Sequence, residues 1–181
     1  MSLADLPVVN AGSHSSILID RSLLLDVGGS MDDHVRVCEE LFSAARAEFR
    51  HLEFFYFHNC PYERLWKENR RRHSQATPTW EVINTYGRDW RLLFVGDAAM
   101  SPYELTMPGG SIEHMNAEPG LVWLERMTAQ WPHAAWLNPV AESGWRWSQS
   151  TAMVADALGG RMFGLTLAGL DAATRALARR A

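Results

Sequence analysis

The sequence predicts an α/β fold: a doubly wound, mostly parallel sheet with helices on both faces. Three observations carry that expectation. Short runs too apolar for a surface strand recur along the chain, as in Leu23-Leu24-Leu25, Leu52–Phe57, Leu92–Val95 and Ala134–Leu137. Between them the apolar spacing lengthens to that of a helix. Strand-like and helix-like segments alternate, the order that joins parallel strands through crossover helices.

Residues 1–16 are small and polar and read as a loose N-terminal segment or a remnant of cloning, leaving 17–181 as the domain. Ser22–Val27 reads as a buried strand that runs into Asp26 and is broken by Gly28-Gly29-Ser30. From Asp32 to Phe49, Cys38, Leu41, Phe42, Ala45 and Phe49 share one helical face, and Asp32 and Asp33 suit a helix start, where acids favour the dipole. Leu52–Phe57 is a second buried strand, Asn59-Cys60-Pro61 a turn, and Tyr62–Trp66 a short partner strand. After the charged connection Lys67–His73, Thr77-Pro78-Thr79 opens a helix to about Tyr86. Arg91–Gly96 is a third strand, ending at Asp97. Glu118–Trp131 is a helix opened by Pro119, and Ala134–Leu137 a strand ended by Asn138-Pro139. Ser150–Leu158 reads as helix, Arg161–Leu165 as the last strand and Leu167–Arg180 as the closing helix.

Composition bounds the function. The chain has 181 residues, 47% hydrophobic and 21% charged, which suits one globular domain and excludes disorder and collagen. No apolar run reaches the roughly 18–20 residues that span a bilayer, and no basic start precedes an apolar stretch as in a secretory signal. A net charge of −4 gives no global attraction to nucleic acid. Arg70-Arg71-Arg72 invites a phosphate or RNA contact, but a solvated loop is the better reading of so short a run. Cys38 and Cys60 form no CxxC pair and the histidines lack zinc-ligand spacing, so the expected setting is reducing and cytoplasmic.

Chemistry is expected where ligands bind in open parallel sheets, at the carboxyl ends of the strands near the switch in strand order. Asp26 and Asp97 both follow strongly apolar strands. If those strands are neighbours, the carboxylates converge, and two close carboxylates call for a shared proton or a cation. Oxygen donors suit magnesium, manganese or calcium. Ser30 offers a hydroxyl near a helix start, and Thr77 and Thr79 offer others; each is equally readable as a helix cap.

Leu24-Leu25-Asp26-Val27-Gly28-Gly29-Ser30-Met31 resembles the first segment of the metal-ion-dependent adhesion site of von Willebrand factor A domains, a Rossmann-like fold. The family pattern is Asp-x-Ser-x-Ser, a distant Thr, then an Asp after a buried strand. The resemblance assigns Asp26 and Ser30 to the triplet, Thr79 (or Thr77) to the threonine and Asp97 to the last acid. Gly28 stands where the middle serine belongs. The bacterial CoxE-like branch is similar over the runs Tyr56-Phe57-His58-Asn59-Cys60, Thr77–Val82, Phe94–Ala98, Ser101–Glu104 and Trp136–Pro139. That resemblance implies a longer protein of which this is the carboxyl-terminal domain. It also implies a Mg2+ site (or Mn2+ or Ca2+) that captures an acidic residue of a protein partner, no catalysis, and partnership with a MoxR-type AAA+ ATPase in protein assembly or metalloenzyme maturation.

Other functions weigh less. A phosphatase of the haloacid-dehalogenase type needs a second Asp two positions after the first, where Gly28 stands, and a phospho-acceptor site wants a nearby lysine, whereas the sole lysine is Lys67. A domain that has lost its metal is the third reading, motivated by Gly28. His58 and Cys60 are more readily buried packing than a catalytic pair. Trp123 and Trp131 read as core. Trp145 and Trp147, in a loop-like stretch, either anchor a partner or cap the sheet edge.

Overall fold

The computed structural model describes residues 21–26, 31, 34, 52–68, 70 and 72–178, with 21–26 described by backbone alone. The N-terminal segment 1–16, Gly28, Ser30 and nearly all of the expected Asp32–Phe49 helix lie outside the described residues. Seven strands form one sheet: β1 (Arg21–Asp26), β2 (Leu52–Phe57), β3 (Arg64–Trp66), β4 (Ala76–Pro78), β5 (Arg91–Val95), β6 (Ala134–Asn138) and β7 (Met162–Gly164). Their order is β4-β3-β2-β1-β5-β6-β7. The run β2-β1-β5-β6-β7 is parallel throughout, and β3 and β4 add an antiparallel edge beside β2.

The parallel strands β2, β5, β6 and β7 turn alternate residues to opposite faces, as the two-residue period requires. Phe55 and Phe57, Leu92 and Phe94, Ala134 and Trp136, and Met162 point to one layer. Leu93 and Val95, and Ala135 and Leu137, point to the other. The first layer is closed by α1 (Thr79–Thr85), α2 (Pro102–Thr106), α3 (Gly120–Gln130) and α5 (Gln149–Ala157), through Val82, Ile83, Leu105, Trp123, Leu124, Met127 and Val154. The short α4 (Glu142–Trp145) abuts it through Trp145. The second layer is closed by α6 (Leu167–Ala178) through Ala173 and Leu177. Helices therefore cover both faces, and β5 and β6 are buried on both sides, which is why their sequences read as unbroken apolar runs.

The expected opening of a helix at Thr77 is corrected. Ala76–Pro78 is an edge strand whose Thr77 pairs with Leu65, and the helix begins at Thr79. Proline fits there because an edge strand leaves one side of its backbone unpaired. Two short helices, α2 and α4, and the strand β4 are additions to the expected elements. Trp123 and Trp131 are core, as expected. Trp145 packs on the core with its Nε1 donating to the Val140 carbonyl at 2.8 Å, while Trp147 is 79% exposed. Among the described residues, no helix is long and apolar enough to cross a membrane.

The amino-terminal rim of the sheet is basic. Arg91 Nε donates to the Leu177 carbonyl at 2.8 Å and Arg161 Nε to the Ala134 carbonyl at 2.7 Å. Burial, with Arg91 and Arg161 adding repulsion, pulls His133 below the ordinary imidazole value. The folded chain thus binds a proton at His133 less readily than the unfolded chain, which takes it up first as pH falls. Stability from this residue is complete above the ordinary value of about 6.5 and declines below it. His133→Gln is expected to flatten the fall in urea midpoint between about pH 7.5 and about pH 5.

At the start of α6, a Cβ on Gly169 would overlap the Gly164 carbonyl oxygen. Gly169→Ala is expected to lower stability by about 1–3 kcal/mol in urea denaturation, because backbone there has no flexible atom to yield.

Candidate functional site

The strand order reverses at the centre of the sheet. From β1 the chain crosses to β2 on one side, and later returns to place β5 on the other. Parallel strands β1 and β5 are in register with Leu25 opposite Val95. One residue further along come Asp26 and Gly96, and then Asp97. Adjacent strands lie about 4.8 Å apart, so the two acid-bearing positions emerge on neighbouring strands at the carboxyl rim, staggered by one residue, at the switch point. The sequence expectation required these strands to be neighbours, and they are. Ser30 lies outside the described residues, as does the Asp26 side chain.

Asp97 is 5% exposed, and its surroundings are built for it. Its Oδ1 accepts the Ala99 backbone N–H at 2.9 Å. Its carbonyl accepts Asn138 Nδ2 at 2.8 Å, and Asn138 Oδ1 in turn accepts the Val140 N–H at 2.8 Å. Next to it, Ala98 is fully buried and holds φ at +54°. A non-glycine residue in the left-handed region is strained and persists only where neighbours over-determine it. The neighbours of Ala98 meet that condition. Its carbonyl accepts Ser150 Oγ at 2.8 Å and Thr151 Oγ1 at 3.3 Å, and Ser150 Oγ also accepts the Met100 N–H at 3.1 Å. Trp136 pins the strand just before the turn. Its Nε1 donates to the Gly96 carbonyl at 2.7 Å, and its ring stacks on Phe94 with centroids 5.1 Å apart.

Thr79 is fully buried at the first position of α1. Its backbone N–H donates to the Glu63 carbonyl at 2.9 Å and its hydroxyl to the Tyr62 carbonyl at 2.5 Å. The hydroxyl proton is thereby committed, and lone pairs are what it has left to offer. No hydrogen bond joins Thr79 to Asp97 among the described residues. From Thr79 the bonded path leads through Tyr62, whose hydroxyl donates to the Glu104 carbonyl at 3.2 Å and to Glu104 Oε2 at 3.3 Å. Thr77, two residues earlier, is half-buried inside β4 and paired with Leu65.

Glu104 is a buried carboxylate that sequence reasoning missed. It is 1% exposed, and Asn59 Nδ2 reaches Oε1 at 3.1 Å and Oε2 at 3.3 Å. Asn59 itself sits at φ +56°, a conformation asparagine tolerates better than most residues, in a tight turn closed by the Cys60 N–H on the His58 carbonyl at 2.6 Å. Burial pushes the Tyr62 phenol well above its ordinary range, with charge on Cys60 and Glu104 adding to it, so Tyr62 remains a donor. Cys60 is buried against Gly120, where a Cβ would crowd its sulfur. The signals for this network were the turn residue Asn59 and the helix-opening Ser101-Pro102, neither of which announces a buried acid. Asn138, Ser150 and Thr151 were likewise readable only as a strand end and a helix start.

The groups at this rim can hold a hard cation or accept hydrogen bonds. No grouping of three or more His, Cys, Asp or Glu side chains suited to a metal occurs among the described residues. In comparisons with known proteins, the chain matches no family model, no curated protein and no solved structure.

Asn138→Ala leaves the Asp97 carbonyl and the Val140 N–H without the partners that Asn138 gives them, at a fully buried position. It is expected to cost about 1–3 kcal/mol by urea denaturation and to leave the far-ultraviolet dichroism unchanged.

Proposed function

We propose that the chain is a non-catalytic protein-interaction module of the von Willebrand factor A type, with a divalent cation held at the carboxyl rim between β1 and β5. The observation that carries this reading is the pairing of Leu25 with Val95, which brings the positions of Asp26 and Asp97 to one edge at the switch point. The parallel run β2-β1-β5-β6-β7 is compatible with that class, and the two-strand antiparallel edge β4-β3 is an addition to it. The Rossmann-like arrangement and the ligand set belong to the same proposal.

The residues at the rim suit such a cation. Asp97 has one oxygen anchored by the Ala99 N–H and no hydrogen bond to the other among the described residues. A carboxylate so oriented is a ready ligand for Mg2+, with Mn2+ or Ca2+ as substitutes. Asp26 supplies the second charge and Ser30 a hydroxyl. Thr79, or Thr77, contributes a lone pair directly or through water. A water takes the place that a serine at position 28 would fill.

The cation keeps an open position, and a carboxylate of a partner protein completes it. Exposed large apolar side chains lie on the segments that follow the strands at this rim. Tyr103 and Met107 follow β5, Val140 and Trp147 follow β6, and Leu167 follows β7, all exposed. The opposite rim carries no exposed large apolar side chain among the described residues. The resemblance to the CoxE-like branch names the partner class as a MoxR-type AAA+ ATPase, acting in protein assembly or metalloenzyme maturation.

Calorimetric titration with magnesium is expected to give saturable heat for the native chain and none for Asp26→Ala or Asp97→Ala. Absence of heat in the native chain, or equal heat in both variants, contradicts the reading. Immobilised chain is expected to retain a MoxR-type ATPase in magnesium and release it in excess chelator; retention in chelator argues for a metal-free contact.

A further inference from the structure

Glu104 stands between the segment that carries Asp97 and the segment that holds Thr79. It lies in α2, a short way along the chain from Asp97, and is 1% exposed. The stretch between the two acids is pinned. Ser150 Oγ accepts the Met100 N–H at 3.1 Å, Ser101 Oγ accepts the Tyr103 N–H at 3.3 Å, and the Ser101 carbonyl accepts the Glu104 N–H at 2.9 Å.

On its other side Glu104 grips the segment that follows β2. Asn59 Nδ2 donates to Oε1 at 3.1 Å and to Oε2 at 3.3 Å. The Tyr62 hydroxyl is shared between Oε2 at 3.3 Å and the Glu104 carbonyl at 3.2 Å. Burial keeps that phenol protonated, so it remains a donor. The same segment holds Thr79 by backbone: the Tyr62 carbonyl accepts its hydroxyl at 2.5 Å and the Glu63 carbonyl its N–H at 2.9 Å. A chain of hydrogen bonds therefore runs from the turn after β5 to the first residue of α1. Thr77 has no printed place in it; it sits in β4, paired with Leu65.

Burying a carboxylate costs more than burying an amide or an apolar side chain. What the charge gives is stronger acceptance from two donors at once, which fixes their direction. We propose that Glu104 is a positioning residue: through Asn59 and Tyr62 it fixes the carbonyl that takes the Thr79 proton, and so keeps the Thr79 lone pairs available to a cation at the rim. This rests on the cation reading of the rim, and adds that a buried acid sets cation affinity without touching the cation. A hydroxyl ligates through its lone pairs, and its proton rotates to suit its surroundings. With the proton committed to Tyr62, that rotation is removed. Magnesium demands near-ideal geometry at short distances, whereas calcium accepts a flexible shell. Loss of the alignment therefore weakens magnesium more than calcium.

Calorimetric titration of the full chain with magnesium chloride and with calcium chloride tests this in Tyr62→Phe and Glu104→Gln, each alone and combined with Thr79→Ala. Each single variant is expected to bind magnesium about tenfold more weakly and calcium less than about twofold more weakly. Neither is expected to weaken magnesium further once Thr79 is alanine, because residues that act through one another are not additive. Tyr62→Phe removes one hydroxyl and keeps the ring, so it carries the test if Glu104→Gln folds poorly. Native magnesium affinity in Tyr62→Phe overturns the positioning role and leaves the cation reading standing. So does an equal loss for both cations, or a loss that adds in full to that of Thr79→Ala, either being the mark of a merely structural contact. A native chain that gives no magnesium heat overturns the cation reading, and the positioning role with it.

Discussion

The side-by-side parallel pairing of β1 and β5 at the centre of the sheet is the constraint on which the rest depends. Strand β5 buries Leu92 and Phe94 into one helical layer and Leu93 and Val95 into the other. A strand of that kind cannot stop gradually. Its backbone must stay paired until it leaves the core, and its first polar residue then appears at the rim as Asp97. Because β1 runs the same way in the adjacent place, its own closing acid, Asp26, comes out at the same rim, one residue short of the level of Asp97. The candidate site is a consequence of two apolar strands ending together.

The turn after β5 is held with unusual thoroughness. A left-handed alanine costs on the order of 1–3 kcal/mol, and a typical hydrogen bond returns about 0.5–1.5 kcal/mol net. The Ala98 carbonyl receives two hydroxyls, and the Asp97 carbonyl an amide from β6. These bonds are of the size needed to offset the strain. Together with Trp136 on the Gly96 carbonyl, they tie β5, β6 and α5 at one point. A rim so fixed presents Asp97 in one orientation, the condition for a precise cation ligand or a precise hydrogen-bond acceptor.

Much of the scaffold was legible because buried parallel strands write themselves as short unbroken apolar runs. Leu52–Phe57 and Ala134–Leu137 were readable to within a residue for that reason. The failures share a cause too. β4 is an edge strand of three residues containing Pro78, and nothing local separates it from a helix start; only its pairing with β3 does. α2 and α4 are five and four residues long, too short for a period to show. Of the site, the two acids could be named from the strands they terminate. The groups that position Asp97 and the turn beyond it, namely Asn138, Ser150 and Thr151, come from distant segments, and their roles exist only once β6 and α5 are packed beside β5. Glu104 was hidden for the opposite reason: an acid in the first turn of a helix ordinarily faces water.

A cation shared at this rim is tested most directly by paramagnetic broadening of amide resonances with substoichiometric manganese. Ala98 and Ala99 are expected to broaden first, excess magnesium to restore them, and Asp97→Asn to remove the effect. Broadening that begins instead at Glu142, Asp156 or Asp171, or that is indifferent to Asp97→Asn, contradicts the shared cation.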